Sequence, residues 1–142
     1  MRLKDCYDKG LLRKKRPDQI KCTRALELAG SDLDRARKLL DSDFYMESII
    51  LSYTGMFKAA RAVLFKDGIF ERSHVCVIEY LKEHYSKKHL IDMNYINWLD
   101  TLRVDRHESL YGLEREESTK DEAEDAYSKA RKFINKIEEI IG

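Results

Sequence analysis

The sequence is poor in the residues that break chains into short pieces: one proline, Pro17, and six scattered glycines in 142 residues. A sandwich of many short strands needs more turn formers than that, which leaves a mostly helical protein. No apolar run approaches the roughly 20 residues of a membrane span, and the opening MRLKDCYDKG lacks the apolar centre of a signal peptide. The expected location is the cytoplasm, with no membrane partner. Cysteine is scarce too. Cys6, Cys22 and Cys76 are odd in number and form no C-x-x-C pair, so neither a disulfide framework nor a zinc site is expected, and reduced packing cysteines are. A chain of this length buries roughly two thirds of its unfolded surface, so stability demands no metal or cofactor, and none is expected.

Net charge is also small, +1, but its distribution is not even. Residues 1–24 carry nine Lys or Arg against three Asp, with Arg13, Lys14, Lys15 and Arg16 consecutive. Residues 114–125 carry seven acids against Arg115 and Lys120. The basic run can hold a phosphate backbone or form a solvated face at a helix entrance.

Hydrophobic spacing predicts five helices. The first opens near Pro17 and reaches Asp41 with Ile20, Leu26, Leu33, Ala36 and Leu40 as its apolar residues, either continuous or broken after Gly30, where Ser31 and Asp34 form a weak capping box. Asp41, Ser42 or Asp43 caps a second, in which Ile49, Ile50, Tyr53, Phe57, Ala60 and Leu64 recur before a stop at Gly68. Ser73 caps a third with Val77, Ile78 and Leu81; Asp92 opens a fourth through Leu102 toward a stop at Gly112. Thr119 and Glu122 form a capping box for the last, which carries Ala123, Ala126, Ala130, Phe133, Ile134, Ile137 and Ile141. Short connections between such helices favour antiparallel neighbours, so the expected fold is all-α, an up-and-down antiparallel bundle of four or five helices over residues 17–142. Residues 1–16 form a leading arm or short helix.

Chemistry concentrates in LDTLRVDRHESLYG, residues 99–112. Leu99, Leu102, Arg106 and Leu110 share helical spacing, with Arg103 beside them, so Arg106 projects toward the core. A guanidinium there needs a carboxylate, carbonyls or a bound anion, which leaves a structural ion pair and a phosphate site as alternatives. His107 can act in acid–base chemistry near neutral pH, and the Tyr111 hydroxyl can donate to phosphate. His74, in the first turn of the third helix, is an auxiliary polar contact for an anion. Lys58 and Arg61 read as surface charges, and His84 and His89 as parts of a solvated turn too loosely spaced for a metal.

The entrance RKKRPDQ, the helix DFYMESIILSYTGMFKAARAVLFKDG, the turn SHVCVIEYL, the segment RHESLYG and the closing amphipathic helix together resemble the HEPN family over roughly residues 17–141. The resemblance implies a small bundle that dimerises through the helices bearing an arginine-centred motif. It implies either a metal-independent ribonuclease, often a toxin beside a minimal nucleotidyltransferase, or a binding or regulatory module. The ribonuclease motif is an arginine, four to six intervening residues and then a histidine, with a polar residue commonly following the arginine; Arg103 and His107, with three residues between them, fall outside that spacing. Arg106 matches the arginine and His107 the polar position, but Tyr111 stands where the histidine belongs, and no histidine follows it. Tyrosine, with a pKa near 10, is a poor base at pH 7. The leading expectation is a homodimer that binds nucleotide or RNA phosphate at a cleft formed by Arg103, Arg106, Tyr111 and His74, as partner of a nucleotidyltransferase. The alternatives are an endoribonuclease using Arg106 with His107 or Tyr111, and a structural adaptor whose Arg106 is paired internally.

Overall fold

The computed structural model describes residues 1–111 and 117–142. In chain order it holds α1 (Leu3–Asp8), β1 (Leu12–Lys14), α2 (Gln19–Asp41), α3 (Tyr45–Asp67), β2 (Ile69–Glu71), α4 (His74–Leu81), α5 (Met93–Tyr111) and α6 (Lys120–Ile141), with one π-helical turn, Lys82–Ser86, continuing α4. The protein is all-α apart from the two-stranded β1–β2 ladder. No helix among the described residues is long and apolar enough to cross a membrane.

The capping residues act where the sequence places them in α4 and α6, whereas α2 begins at Gln19 behind an Asp18 cap and not at Pro17. Asp18 accepts the Lys21 N–H at the start of α2, Ser73 accepts from Cys76 at α4, and Thr119 and Glu122 form the reciprocal box of α6. The start of α3 differs: Phe44 is its N-cap and gives no side-chain bond, since Asp43 adopts a positive φ and accepts from the Tyr45 hydroxyl instead. Gly30 leaves α2 unbroken. The stop of α5 at Gly112 lies outside the described residues, as do Glu114, Arg115 and Glu116 of the acidic stretch.

α3 is the central element and packs against α2, α4, α5 and α6. Its buried residues, among them Tyr53, Met56, Ala59, Ala60, Val63 and Leu64, leave little of its circumference to solvent. α2 and α3 form an antiparallel hairpin: Ser48 Oγ donates to the Ala36 carbonyl, and a Cβ added at Gly55 would stand 3.2 Å from the Ala29 carbonyl oxygen. Small residues make this close approach possible. The buried stripe of α2 is therefore Cys22, Ala25, Ala29, Asp32, Ala36 and Leu40, while Ile20 is exposed and Leu26 and Leu33 lie at the margin. The expected stripe through Ile20 is corrected accordingly: a helix that approaches its neighbour through alanines has no room for larger side chains on that line.

The cysteine expectation is also corrected. Cys6 and Cys76, 70 residues apart in sequence, are disulfide-bonded, with their Cα atoms 5.8 Å apart, and join α1 to the first turn of α4; Cys22 is the buried free thiol. Their pairing follows from α1 folding back onto α4, a long-range contact that cysteine spacing does not encode. The bond also removes cysteine usage as a sign of a reducing compartment.

The basic segment is held in place. Leu12, Arg13 and Lys14 pair antiparallel with Glu71, Phe70 and Ile69, the Lys15 N–H donates to the Gly68 carbonyl and the Asp18 N–H to that of Phe65. Gly68 ends α3 at φ +76°, where a Cβ would collide with the Lys15 carbonyl oxygen, so glycine is required both for its conformation and for the close approach.

Candidate functional site

The site is built on one line of α3. Tyr53 and Phe57, one helical turn apart, present their rings toward α4 and α5, where His74 and Arg106 cover them. The Tyr53 hydroxyl lies 2.7 Å from His74 Nδ1, the His74 ring stacks on Phe57 at 3.8 Å, and the Arg106 guanidinium carbon sits 5.7 Å from the centre of the Tyr53 ring. Aromatic faces carry partial negative charge and attract the cation. His74 begins α4 because the Ser73 cap sets that helix there, and Arg106 falls on the line of Leu99 and Leu102, which are buried against the core.

Arg106 is half-buried, and its Nε is fully enclosed without a hydrogen-bond partner. Among the described residues no carboxylate lies within ion-pair distance of it, and its ring contact with Tyr53 is its one polar interaction. The internal ion pair of the adaptor reading is therefore absent among the described residues. Arg103 is different: its Nε and Nη2 hold Asp100 at 3.1 and 3.0 Å. Its charge still acts on the site.

Burial and charge set the protonation states. Burial pushes the Tyr53 phenol well above its ordinary value, against a smaller opposite pull from Arg106 and Arg103. Burial also lowers the His74 pKa, and the positive fields of Arg106, Arg103 and Arg61 lower it further. Both groups are thus neutral at pH 7. The Tyr53 side chain is 1% exposed, and His74 Nδ1 is the single acceptor in reach of its hydroxyl among the described residues. A buried hydroxyl proton must be accepted somewhere, so Tyr53 donates to Nδ1, and the proton of the neutral imidazole resides on Nε2. His74 then offers an N–H donor, not a free basic nitrogen.

The rings of His107 and Tyr111 lie 5.1 Å apart, tilted to each other by 49°, on the outer side of α5, both exposed. Leu110 is exposed as well, so the apolar line of α5 leaves the core after Leu102, and the expected core position of Leu110 is corrected. Of the expected residues, the structure gathers Arg106, His74 and, through its field, Arg103; it sets His107 and Tyr111 one face away. Two partners were missed in the sequence. Tyr53 reads there only as core, though a tyrosine in place of phenylalanine on a buried stripe signals a polar neighbour. Arg61 reads as a surface charge, yet its Nε lies 2.9 Å from Glu71 Oε1, while Lys58 Nζ lies 2.7 Å from the enclosed Asp32. No group of three or more His, Cys, Asp or Glu that could hold a metal occurs among the described residues.

A family model described as the HEPN domain matches residues 23–140, which spans all the elements that build this site. The chain belongs to the HEPN family. This HEPN chain is also similar to a UPF0332 protein of Pyrococcus horikoshii, 27% identical over 97 residues, covering 68% of this chain and 67% of that protein. HEPN domains are associated with nucleotide and RNA binding and with ribonuclease activity. Tyr111, where the resemblance leads one to expect the motif histidine, lies on the exposed face of α5.

Proposed function

We propose that this HEPN protein binds the phosphate group of a nucleotide or RNA between α3, α4 and α5, with Arg106 as the central ligand and His74 Nε2–H as a neutral second donor. One observation carries the reading: a guanidinium enclosed at Nε, with neither carboxylate nor carbonyl satisfying it among the described residues. Leaving such a donor buried and unpaired costs roughly 1–3 kcal/mol, and because Arg106 as a whole is only half-buried, an anion reaches the guanidinium from its open side. Exposed Tyr111 and His107 offer rings on which a base can stack beside the phosphate. Binding is favoured over cleavage because the 2′-hydroxyl of RNA needs a base beside the phosphate, and His74 presents a protonated nitrogen while His107 and Tyr111 lie on the outer side of α5. Dimerisation through α5 and partnership with a nucleotidyltransferase belong to the same proposal and rest on family membership.

The test is equilibrium binding of 5′-AMP and of a uridine dinucleotide to wild type and Arg106→Ala, together with incubation of single-stranded RNA in chelator. We expect binding that weakens at least tenfold in Arg106→Ala, and intact RNA. Unchanged binding in the variant refutes the phosphate role; cleavage that Arg106→Ala abolishes replaces the reading with a metal-independent nuclease.

A further inference from the structure

The far end of α3 carries a second polar cluster, separate from Arg106. Asp67, the last residue of α3, lies about 21 Å along the helix from Tyr53, at about 1.5 Å per residue. Its Oδ2 accepts the Tyr80 hydroxyl at 2.9 Å and the Tyr85 hydroxyl at 2.6 Å, and its Oδ1 holds Lys66 Nζ at 3.2 Å. Two phenols on one oxygen require Tyr80 and Tyr85 to share a face, whereas in a continuous α-helix residues five apart point about 140° away from each other. The π-helical turn Lys82–Ser86 removes that angle. It is bonded between residues five apart, the Lys87 N–H donating to the Lys82 carbonyl at 3.1 Å, and so gives Tyr85 the place on the Tyr80 face that an α-helix gives to the fourth residue. Such turns are rare and concentrate at functional sites.

The cluster lines an open recess of about 500 Å³, a volume in the range of small-molecule sites. Leu90 and Ile140 make part of its wall apolar, and the His84 ring tilts against that of Tyr80 at 4.5 Å. Lys66 and Lys88 line it as well. Burial, and then the bond to Asp67, push both phenols far above their ordinary pKa, so at neutral pH they stay protonated and keep donating to the carboxylate. Asp67 thus has both oxygens engaged within the chain, while Lys88 has no carboxylate within ion-pair distance among the described residues. Two lysines against one carboxylate leave one positive charge unanswered.

We propose that this recess binds a small organic carboxylic acid, its carboxylate on Lys88 and Lys66 and its apolar body against Leu90, Ile140 and the Tyr80 and His84 rings. Lys66 has two N–H donors besides the one directed at Asp67. A single negative charge matches the excess; an ammonium would face both lysines, and a phosphate dianion would bring a second negative charge beside Asp67. The apolar walls favour a hydrocarbon body over a sugar.

Titration of the isotope-labelled protein with 2-naphthoate, 2-naphthylmethanol and 2-naphthylmethylammonium, followed by amide chemical shifts, tests this, because the three share one body and differ in charge. Naphthoate is expected to saturate with a Kd of about a millimolar or below and to shift the amides of Lys66, Tyr85 and Leu90. It should bind at least fivefold more tightly than the alcohol, with the ammonium weaker still. Lys88→Glu weakens naphthoate at least fivefold and leaves the alcohol within twofold, whereas Leu90→Ser weakens both by the same factor. Lys38→Glu, an exposed position at the opposite end of the α2–α3 hairpin, makes the same charge change and leaves naphthoate within twofold. Arg106→Ala does likewise, which separates this recess from the phosphate site. Naphthoate that fails to bind, binds no more tightly than the alcohol, loses as much in Lys38→Glu as in Lys88→Glu, or depends on Arg106 overturns the proposal.

Discussion

Lys58 and Arg106 both bring a positive charge against the packed body around α3, and the molecule treats them in opposite ways. Lys58 Nζ lies 2.7 Å from Asp32 Oδ2, with the Asp32 side chain 3% exposed between α2 and α3. Across the bundle, Arg106 rests on Tyr53 with its Nε enclosed and, among the described residues, with no carboxylate to meet it. The α2–α3 interface brings small residues into close contact and sets a carboxylate against its cation. The face shared by α3, α4 and α5 gathers Arg106, Arg103 and a neutral histidine, and Asp100, held by Arg103, is the one carboxylate paired to them among the described residues. The proposed phosphate site lies where the second cation has no carboxylate opposite it among the described residues.

The largest effect expected on that comparison comes from breaking the closed side. Gly55→Leu drives a side chain into the Ala29 carbonyl and the Asp32 and Ile134 side chains, and should destabilise the fold by about 3 kcal/mol through overpacking, measured as a lower urea midpoint. An unchanged midpoint would show that α2 and α3 are not as tightly apposed as their contacts indicate.

A paired substitution sharpens the contrast. Asp32→Asn leaves Lys58 without its counter-charge; because Lys58 is 30% exposed and can turn to water, the expected loss is about 2 kcal/mol, below the range for a fully buried pair. Arg106→Ala removes a charge that has no carboxylate partner among the described residues, and stability should stay within about 1 kcal/mol of wild type or rise, even as phosphate binding is lost. Equal destabilisation by the two substitutions would make Arg106 a structural cation like Lys58 and remove the argument for an open site.

These differences also mark how far the sequence could be read. The helices were legible because capping side chains and apolar periodicity act within a few residues: Ser73, Thr119 with Glu122, and Gly68 all terminate helices where local chemistry says they must. Arg106 was legible as a charge on a core-facing stripe. The disulfide was not, because Cys6 and Cys76 meet only after α1 folds onto α4. Nor were the roles of Arg61 and Lys58, whose acids Glu71 and Asp32 come from other elements. The β1–β2 ladder escaped notice because three-residue strands are too short for alternation to register. The site shows the same division: the sequence marked His74 as an auxiliary polar contact, but its pairing with Tyr53 spans 21 residues and was not legible there.

The smallest effect concerns that pairing, and its sign follows from the direction of the His74 shift. Burial, then Arg106, Arg103 and Arg61, hold its folded pKa below the value of about 6.5 that it has when unfolded. Between the two values the unfolded chain binds more protons, so stability rises with pH across that window. The contribution of neutral His74 is complete above about pH 6.5 and is lost as pH falls through the folded value. Protonation would also place a second proton on the line between Nδ1 and the Tyr53 hydroxyl, which then has no acceptor among the described residues. His74→Gln should therefore flatten the fall in stability between pH 7 and pH 5.5, measured as the difference from wild type in urea midpoints across that range. A bound phosphate should counter the same fall, because an anion beside Arg106 offsets the positive field that disfavours the imidazolium. If instead phosphate leaves the pH dependence of wild type unchanged while binding normally, the anion sits away from His74, and Arg106 holds it without the histidine as a second donor.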